Sequence, residues 1–146
     1  MTQAHAITDG ETVLPQSQTA RRSMDTITVE ATDDVTTIIK AFGAQLPRPA
    51  NALSLLARFM VRESDRDAIK FAFRHARTQT LDEPGCRVFE LNEDALDPGC
   101  FVVYEQWRSL ADLEAHLRNN HTAELRTLFH RLIVDGPEFQ VLLPTE

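Results

Sequence analysis

The first regular pattern of hydrophobic and polar residues in this chain follows a polar stretch at its amino terminus. Residues 1–24 are rich in Thr, Gln, Ala and Ser and show no hydrophobic period, which predicts a flexible tail. Residues 26–30 alternate as a short strand does. Apolar residues then recur every three or four positions, which predicts an amphipathic helix with Gly43 just past its end. These residues are Val35, Ile38, Ile39 and Phe42.

A proline-containing linker divides the chain into an extension and a main domain. Residues 44–50 read as this linker because they hold two prolines and no hydrophobic period. The extension therefore covers residues 1–50, with the predicted strand and helix in residues 25–43. The main domain covers residues 51–146, a length that suits one hydrophobic core.

The main domain opens with a strand, a helix and a hairpin. Residues 52–61 are apolar on both alternations, which predicts a strand covered on both faces. Ser64 and Asp67 form a variant capping box, so a helix is expected to begin there and to stop before Glu83. The segments that form the predicted hairpin are residues 86–92 and 100–107.

The second half of the domain reads as two helical segments and a last strand. Ser109, with Asp112 three residues on, caps the first segment, and Asn119-Asn120 interrupts the helix. The second segment carries an apolar stripe and is expected to end at Asp135-Gly136-Pro137. The stripe consists of Leu125, Leu128, Phe129, Leu132 and Ile133, and residues 139–143 supply the last strand.

The order β-α-β-β-α-β predicts an α+β, ferredoxin-like fold with one antiparallel sheet. Helices cover only one face of such a sheet, yet these strands carry apolar residues on both faces. The second face therefore needs a partner, and a symmetric homodimer with two sheets face to face is the simplest solution.

Charge and composition restrict the classes of partner. The formal net charge of −7 argues against nucleic acid and against anionic membranes. The chain has no apolar run long enough for a membrane span and no signal-peptide pattern, so a cytoplasmic location is expected. The two cysteines, Cys86 and Cys100, lie at opposite ends of the predicted hairpin and are expected to be free thiols.

Strand alternation collects the candidate chemical residues on one face of the sheet. That face carries Glu105 and Trp107, the single tryptophan, which from the residues alone reads best as a core aromatic. A buried Glu105 needs a partner, and Arg126 is the expected one. His116 borders an apolar stripe, where a satisfied histidine and a general base are equally good interpretations.

The same residues carry a resemblance to a known family. The strand ending Tyr104-Glu105-Gln106-Trp107, the capped helix with His116 and the upstream Glu83-Pro84-Gly85-Cys86 resemble the antibiotic biosynthesis monooxygenase family. Its members are small dimeric α/β barrels and include cofactor-free quinol monooxygenases. The resemblance covers roughly residues 52–144.

This resemblance implies a cavity between sheet and helices, lined by the Trp107 face of the strand. The polyketide monooxygenases of the family have a tryptophan and an arginine where this chain has Trp107 and Arg126. They have an asparagine and a tyrosine where it has Val103 and Leu113, which argues against a phenolic polyketide substrate. The local sequence from Glu105 through His116 to His121 is more similar to the quinol monooxygenase branch.

The implied activity is O₂-dependent oxidation of a quinol or small hydroxyaromatic compound without cofactor or metal. His116 is expected to act as the base and Arg126 to stabilise the anion. The aromatic substrate is expected to be held by Trp107 with Phe89 or Phe101, and His121 reads as a helix-entry residue or a polar wall. A non-catalytic barrel that binds a small aromatic ligand is the first alternative. An isomerase or decarboxylase is the second, although Arg77 stands where that branch has a histidine.

Overall fold

The computed structural model describes residues 26–29, 33–48 and 51–145. The predicted flexible tail, residues 1–24, lies outside the described residues. Five antiparallel strands form one sheet in the order β1-β5-β2-β4-β3. The strands are β1 (Ile27–Thr28), β2 (Leu53–Val61), β3 (Cys86–Glu93), β4 (Cys100–Trp107) and β5 (Ile133–Leu142). The helices are α1 (Val35–Gly43), α2 (Arg66–Thr80), α3 (Leu110–Arg118) and α4 (Asn120–Leu132).

This architecture confirms the α+β, ferredoxin-like fold, and several local predictions also hold. β4 has the predicted bounds, and the break between α3 and α4 falls at Asn119. Ser109 caps α3, because its Oγ accepts a hydrogen bond from the backbone N–H of Asp112 at 3.2 Å. The cap fixes where α3 begins and therefore where His116, in its last turn, is placed.

The start of α2 was predicted wrongly. After β2 the chain makes a 3-10 turn over Glu63–Asp65, and α2 begins only at Arg66. Ser64 lies inside this turn, so it does not cap the helix. Gly43 was also misplaced, since it is the last residue of α1 rather than the residue after it.

The last strand begins earlier than predicted. β5 pairs with β2 from Ile133 onward, and Asp135-Gly136-Pro137 lies inside it at a register shift rather than ending the helix in a loop. Gly136 has a φ of +94°, and a Cβ there would approach the carbonyl oxygen of Arg58 to 2.7 Å. Glycine is therefore required where the strand bends across β2.

The amphipathic helix predicted for the extension is present as α1, and it packs against the main domain. Ile38 and Phe42 of α1 are buried in a cluster with Leu53, Trp107 and Leu113. The ring of Phe42 also lies 5.2 Å from that of Phe139 on β5, measured between centroids. The extension thus completes one end of the core.

Among the described residues, no helix covers the other face of the sheet. Leu56 and Met60 of β2 and Val102 and Tyr104 of β4 are only partly buried there in the single chain. This is the face that the sequence assigned to a partner subunit, and the homodimer remains a prediction.

Candidate active site

A cavity of about 440 Å³ lies between the helix-covered face of the sheet and the helices. Aromatic rings make up much of its wall, and the extension contributes Thr28, Val29, Ile38 and Phe42. Polar side chains among the lining residues include Glu105, His116, Thr122 and Arg126. The phenylalanines that line it are Phe42, Phe59, Phe73, Phe89, Phe129 and Phe139. A volume of this size suits a small ligand, and the wall composition suits an aromatic one.

His116 is fixed at the cavity by contacts on several sides. Its side chain is 4 % exposed, and its ring centroid lies 4.6 Å from that of Trp107 and 5.4 Å from that of Phe89. Its Nδ1 lies 3.0 Å from Glu83 Oε2 and 3.3 Å from Thr122 Oγ1. Because Nδ1 is engaged by Glu83 and Thr122, Nε2 is the nitrogen left to meet a ligand.

Glu105 is hydrogen-bonded to Trp107 rather than paired with Arg126. The indole Nε1–H of Trp107 donates to Glu105 Oε1 at 2.7 Å, since residues two apart on a strand share a face. The predicted ion pair with Arg126 is therefore wrong. Burial raises the pKa of Glu105, and the charge of Glu83 adds to this, whereas His116 and the Trp107 hydrogen bond oppose it.

The raised pKa makes Glu105 a source of pH-dependent instability. The folded protein holds the Glu105 proton at pH values where the unfolded chain has lost it, so stability falls as pH rises above the ordinary glutamate pKa. We expect Glu105→Gln to be more stable than wild type at about pH 8, by about 1.4 kcal/mol for each unit of pKa elevation, and equal to it at about pH 4. Urea unfolding at both values measures this.

Glu114→Gln is the control for the Glu105 substitution, because Glu114 is an exposed carboxylate on α3. It should show little pH-dependent difference from wild type. A Glu105→Gln effect of the same size at both pH values would show that Glu105 is ionised in the folded protein.

Arg126 lines the cavity from α4 and also holds the extension. Its Nη2 donates to the carbonyl oxygen of Asp33 at 3.2 Å. Asp33 precedes α1, so the arginine joins α4 to the extension, whose Ile38 and Phe42 line the cavity. Arg126 therefore places a cationic group at the cavity and also links α4 to the extension.

The remaining predicted site residues divide into two groups. Phe89, Val103 and Leu113 line the cavity, and of these Val103 lies on the strand face that the alternation pattern assigned to it. Trp107 and Phe101 lie in the core behind the wall, where Phe101 stacks on Phe59 at 5.8 Å between ring centroids. His121 also lies outside the wall, with its Nε2 2.8 Å from Glu83 Oε2. Trp107 does not line the cavity itself, but it contacts Glu105 and His116, which do.

Glu83 is the site residue that the sequence analysis missed. It was noted only as part of the Glu-Pro-Gly-Cys motif, yet it contacts His116 and His121, and its Oε1 accepts from Asn119 Nδ2 at 2.8 Å. The motif itself was the available signal. A glutamate before Pro-Gly looks like an ordinary turn residue until the helices that meet it are placed.

Glu83, His116 and His121 also lie close enough together to hold a metal ion. They are the one such cluster among the described residues. One ligand atom from each lies within 4.8 Å of the others. The Glu83 carboxylate already hydrogen-bonds to both imidazole rings, so these polar groups satisfy one another without a metal ion. The expectation of a metal-free site remains a prediction.

Both cysteines are free thiols, as predicted. Burial, followed by the negative charges of Glu105 and Glu83, raises the pKa of Cys86 to about 11. A thiol with this pKa is almost entirely protonated at neutral pH, so Cys86 is a poor nucleophile.

The fold and the cavity define a class: a ferredoxin-like α+β domain with an aromatic-walled cavity beside a buried histidine. The sequence matches the family model for antibiotic biosynthesis monooxygenase over residues 52–127. The chain therefore belongs to the antibiotic biosynthesis monooxygenase family. In the described residues, no helix has the length and apolar character needed to cross a membrane.

Individual relatives agree with this assignment. Rv0793 of Mycobacterium tuberculosis, provisionally named a monooxygenase, is 32% identical over 94 residues, which cover 64% of this chain and 92% of Rv0793. Its solved structure gives a TM-score of 0.61 at 31% identity and covers 66% of this chain and 97% of its own. A provisionally named antibiotic biosynthesis monooxygenase of Nitrosomonas europaea gives 0.63 at 23% identity, covering 68% and 96%, and supports the fold.

Proposed function

We propose that the protein is an O₂-dependent oxidoreductase that oxidises or hydroxylates a quinol or small hydroxyaromatic compound without a bound cofactor. The observation that carries this proposal is the cavity of about 440 Å³, which combines phenylalanine walls with His116 and Arg126. Rv0793, which is provisionally named a monooxygenase, adds support at the level of the family.

The walls favour a flat aromatic substrate. Phe89 lies edge-on to His116, and Phe42 and Phe139 are in contact with one another, so phenylalanines border both the histidine and the extension. An aromatic ring between such side chains gains from apolar burial and from ring–ring contacts. The substrate would lie with one hydroxyl toward His116.

His116 is the residue that removes the phenolic proton of the substrate. Because Nδ1 is already hydrogen-bonded, Nε2 is the nitrogen that can accept a phenolic proton from a bound substrate. Arg126, as the cationic residue at the cavity, would stabilise the phenolate that forms. Apolar walls then keep water away from the anion and from any radical derived from it.

The electrons come from the substrate itself. In the oxidase outcome, a quinol gives two electrons and two protons to O₂, and the products are a quinone and hydrogen peroxide. In the monooxygenase outcome, one oxygen atom is added to the ring and the other leaves as water, which gives a hydroxyquinone. Either reaction balances without an external reductant, so no bound redox cofactor is needed.

Oxygen uptake with a panel of reduced naphthoquinones, benzoquinones and catechols tests this function. We expect at least one quinol to give uptake above autoxidation, and the rate should survive EDTA treatment because the substrate supplies the electrons. Arg126→Gln should lower kcat/KM about 10²-fold through loss of anion stabilisation. Arg131→Gln, an exposed arginine on the same helix, is the matched control and should leave the rate unchanged.

Absence of uptake across the panel would contradict the oxygenase. Saturable binding of an aromatic compound without turnover would then favour the non-catalytic binding module, in keeping with apolar Val103 and Leu113 at the wall. The isomerase or decarboxylase alternative gains little, because Arg77 donates to the backbone carbonyl of Phe89 at 2.8 Å and does not line the cavity.

We also propose a cytoplasmic homodimer. Support for the dimer is the partly buried apolar side chains on the uncovered face of the sheet, among them Leu56, Met60 and Tyr104. Two such faces packed together would bury these side chains in both subunits. Sedimentation of the purified protein measures the assembly state.

A further inference from the structure

Glu83 occupies the junction between three segments of the chain. It lies in the loop after α2, and it meets the last turn of α3 through His116 and the first turn of α4 through His121. Its side chain is only 9 % exposed. Oε2 lies 3.0 Å from His116 Nδ1 and 2.8 Å from His121 Nε2, and Oε1 accepts from Asn119 Nδ2 at 2.8 Å. A buried carboxylate with this many donors is both anchored and oriented.

We propose that Glu83 is the positioning residue for His116: it holds the ring proton on Nδ1 and thereby presents an unprotonated Nε2 to the cavity. This role rests on the proposed function, in which His116 takes a phenolic proton. The carboxylate accepts the Nδ1–H hydrogen bond, and the lone pair of a neutral imidazole then lies on Nε2. When Nε2 takes a proton, the negative charge of Glu83 stabilises the imidazolium that forms.

His121 and Asn119 keep Glu83 in the state that this role needs. Burial alone would raise the pKa of Glu83, but the hydrogen bonds and charges of His116 and His121 outweigh burial and lower the pKa. An ionised Glu83 is a hydrogen-bond acceptor only, so it cannot hold His116 in the other tautomer. His121, with 16 % of its side chain exposed, supports the carboxylate from the solvent side.

The titratable groups around His116 come from three elements. Glu83 approaches from the loop after α2, His121 from α4 and Glu105 from β4. Of the two carboxyl groups, Glu83 contacts the ring directly, at 3.0 Å from Nδ1, whereas Glu105 is hydrogen-bonded to Trp107. Removing the Glu83 carboxylate should therefore release the constraint that keeps the ring proton on Nδ1.

Nitrogen NMR of histidine-labelled protein tests the tautomer without any turnover. We expect the shifts of neutral His116 to show a protonated Nδ1 and an unprotonated Nε2, and Glu83→Gln to weaken this preference because the carboxylate acceptor is lost. Glu83→Asp keeps the carboxylate and should restore the wild-type tautomer at least in part. Glu114→Gln, on α3 two residues from His116 and exposed, should leave the tautomer unchanged.

The oxygen-uptake rate gives a second measurement. It should fall in Glu83→Gln, recover at least in part in Glu83→Asp and stay unchanged in Glu114→Gln, because only Glu83→Gln removes the carboxylate that orients His116. A wild-type spectrum with the proton on Nε2 would overturn the proposal even if Glu83→Gln fails to fold. So would His116 and His121 shifts that change on EDTA treatment, because the cluster would then be a metal site. If the tautomer is as expected but no quinol supports oxygen uptake, the positioning role stands and the proposed function fails.

Discussion

Replacing His116 by glutamine should lower the rate of quinol-dependent oxygen uptake by about 10²–10⁴-fold, the usual contribution of a general base. Glutamine is polar and similar in length, but its amide cannot accept a proton at neutral pH. The phenolic proton would then have to leave to water, which the apolar walls restrict. Initial rates on an oxygen electrode at saturating quinol measure the loss.

His75→Gln is the matched control, because His75 lies exposed on α2. It should retain the wild-type rate. Circular dichroism of both variants separates a catalytic loss from unfolding. A His116→Gln protein that is folded and keeps more than about a third of the wild-type rate would remove the histidine from the mechanism, since loss of a general base costs far more than that.

Replacing Trp107 by alanine should destabilise the fold by about 3–5 kcal/mol. The indole is completely buried between the sheet, α1 and α3, so its removal leaves a large cavity. It also removes the one hydrogen-bond donor to Glu105 that the structure shows. Trp107→Phe fills most of the space but lacks the N–H, and it should cost about 1–3 kcal/mol through the unsatisfied carboxyl.

Urea unfolding monitored by circular dichroism measures both Trp107 variants. Phe71→Ala removes an aromatic side chain that is 71% exposed in the single chain, and it should change stability by less than about 0.5 kcal/mol. An equally small change in Trp107→Ala would contradict the buried position of the indole. Oxygen uptake that survives in folded Trp107→Phe would show that the tryptophan acts through packing rather than chemistry.

The hydrophobic pattern was sufficient to predict the sheet and to identify the face of the sheet on which the site lies. Alternation along β4 placed Val103, Glu105 and Trp107 on one face, and the cap at Ser109 placed α3. These features depend on residues that are neighbours in the chain, which is why they can be predicted from the sequence. The bend of β5 at Gly136 was missed because a Gly-Pro pair inside a strand looks the same as one that ends a helix.

The contacts of the site were harder to predict than its location. Glu105 was assigned to Arg126 because their charges match, but a face assignment does not say which side chains meet. Glu83 was missed because its histidine partners lie 33 and 38 residues further along the chain. Contacts of this kind follow from how helices dock, which local sequence patterns do not specify.

The most direct test of the proposed site is a crystal structure with the quinone product of the best panel compound bound. We expect one ring inside the cavity, against Phe89, with a quinone oxygen about 3 Å from His116 Nε2. A quinone bound on the uncovered face of the sheet, or inside the cavity with its oxygens turned away from His116, would contradict the assignment of this cavity and this histidine to the reaction.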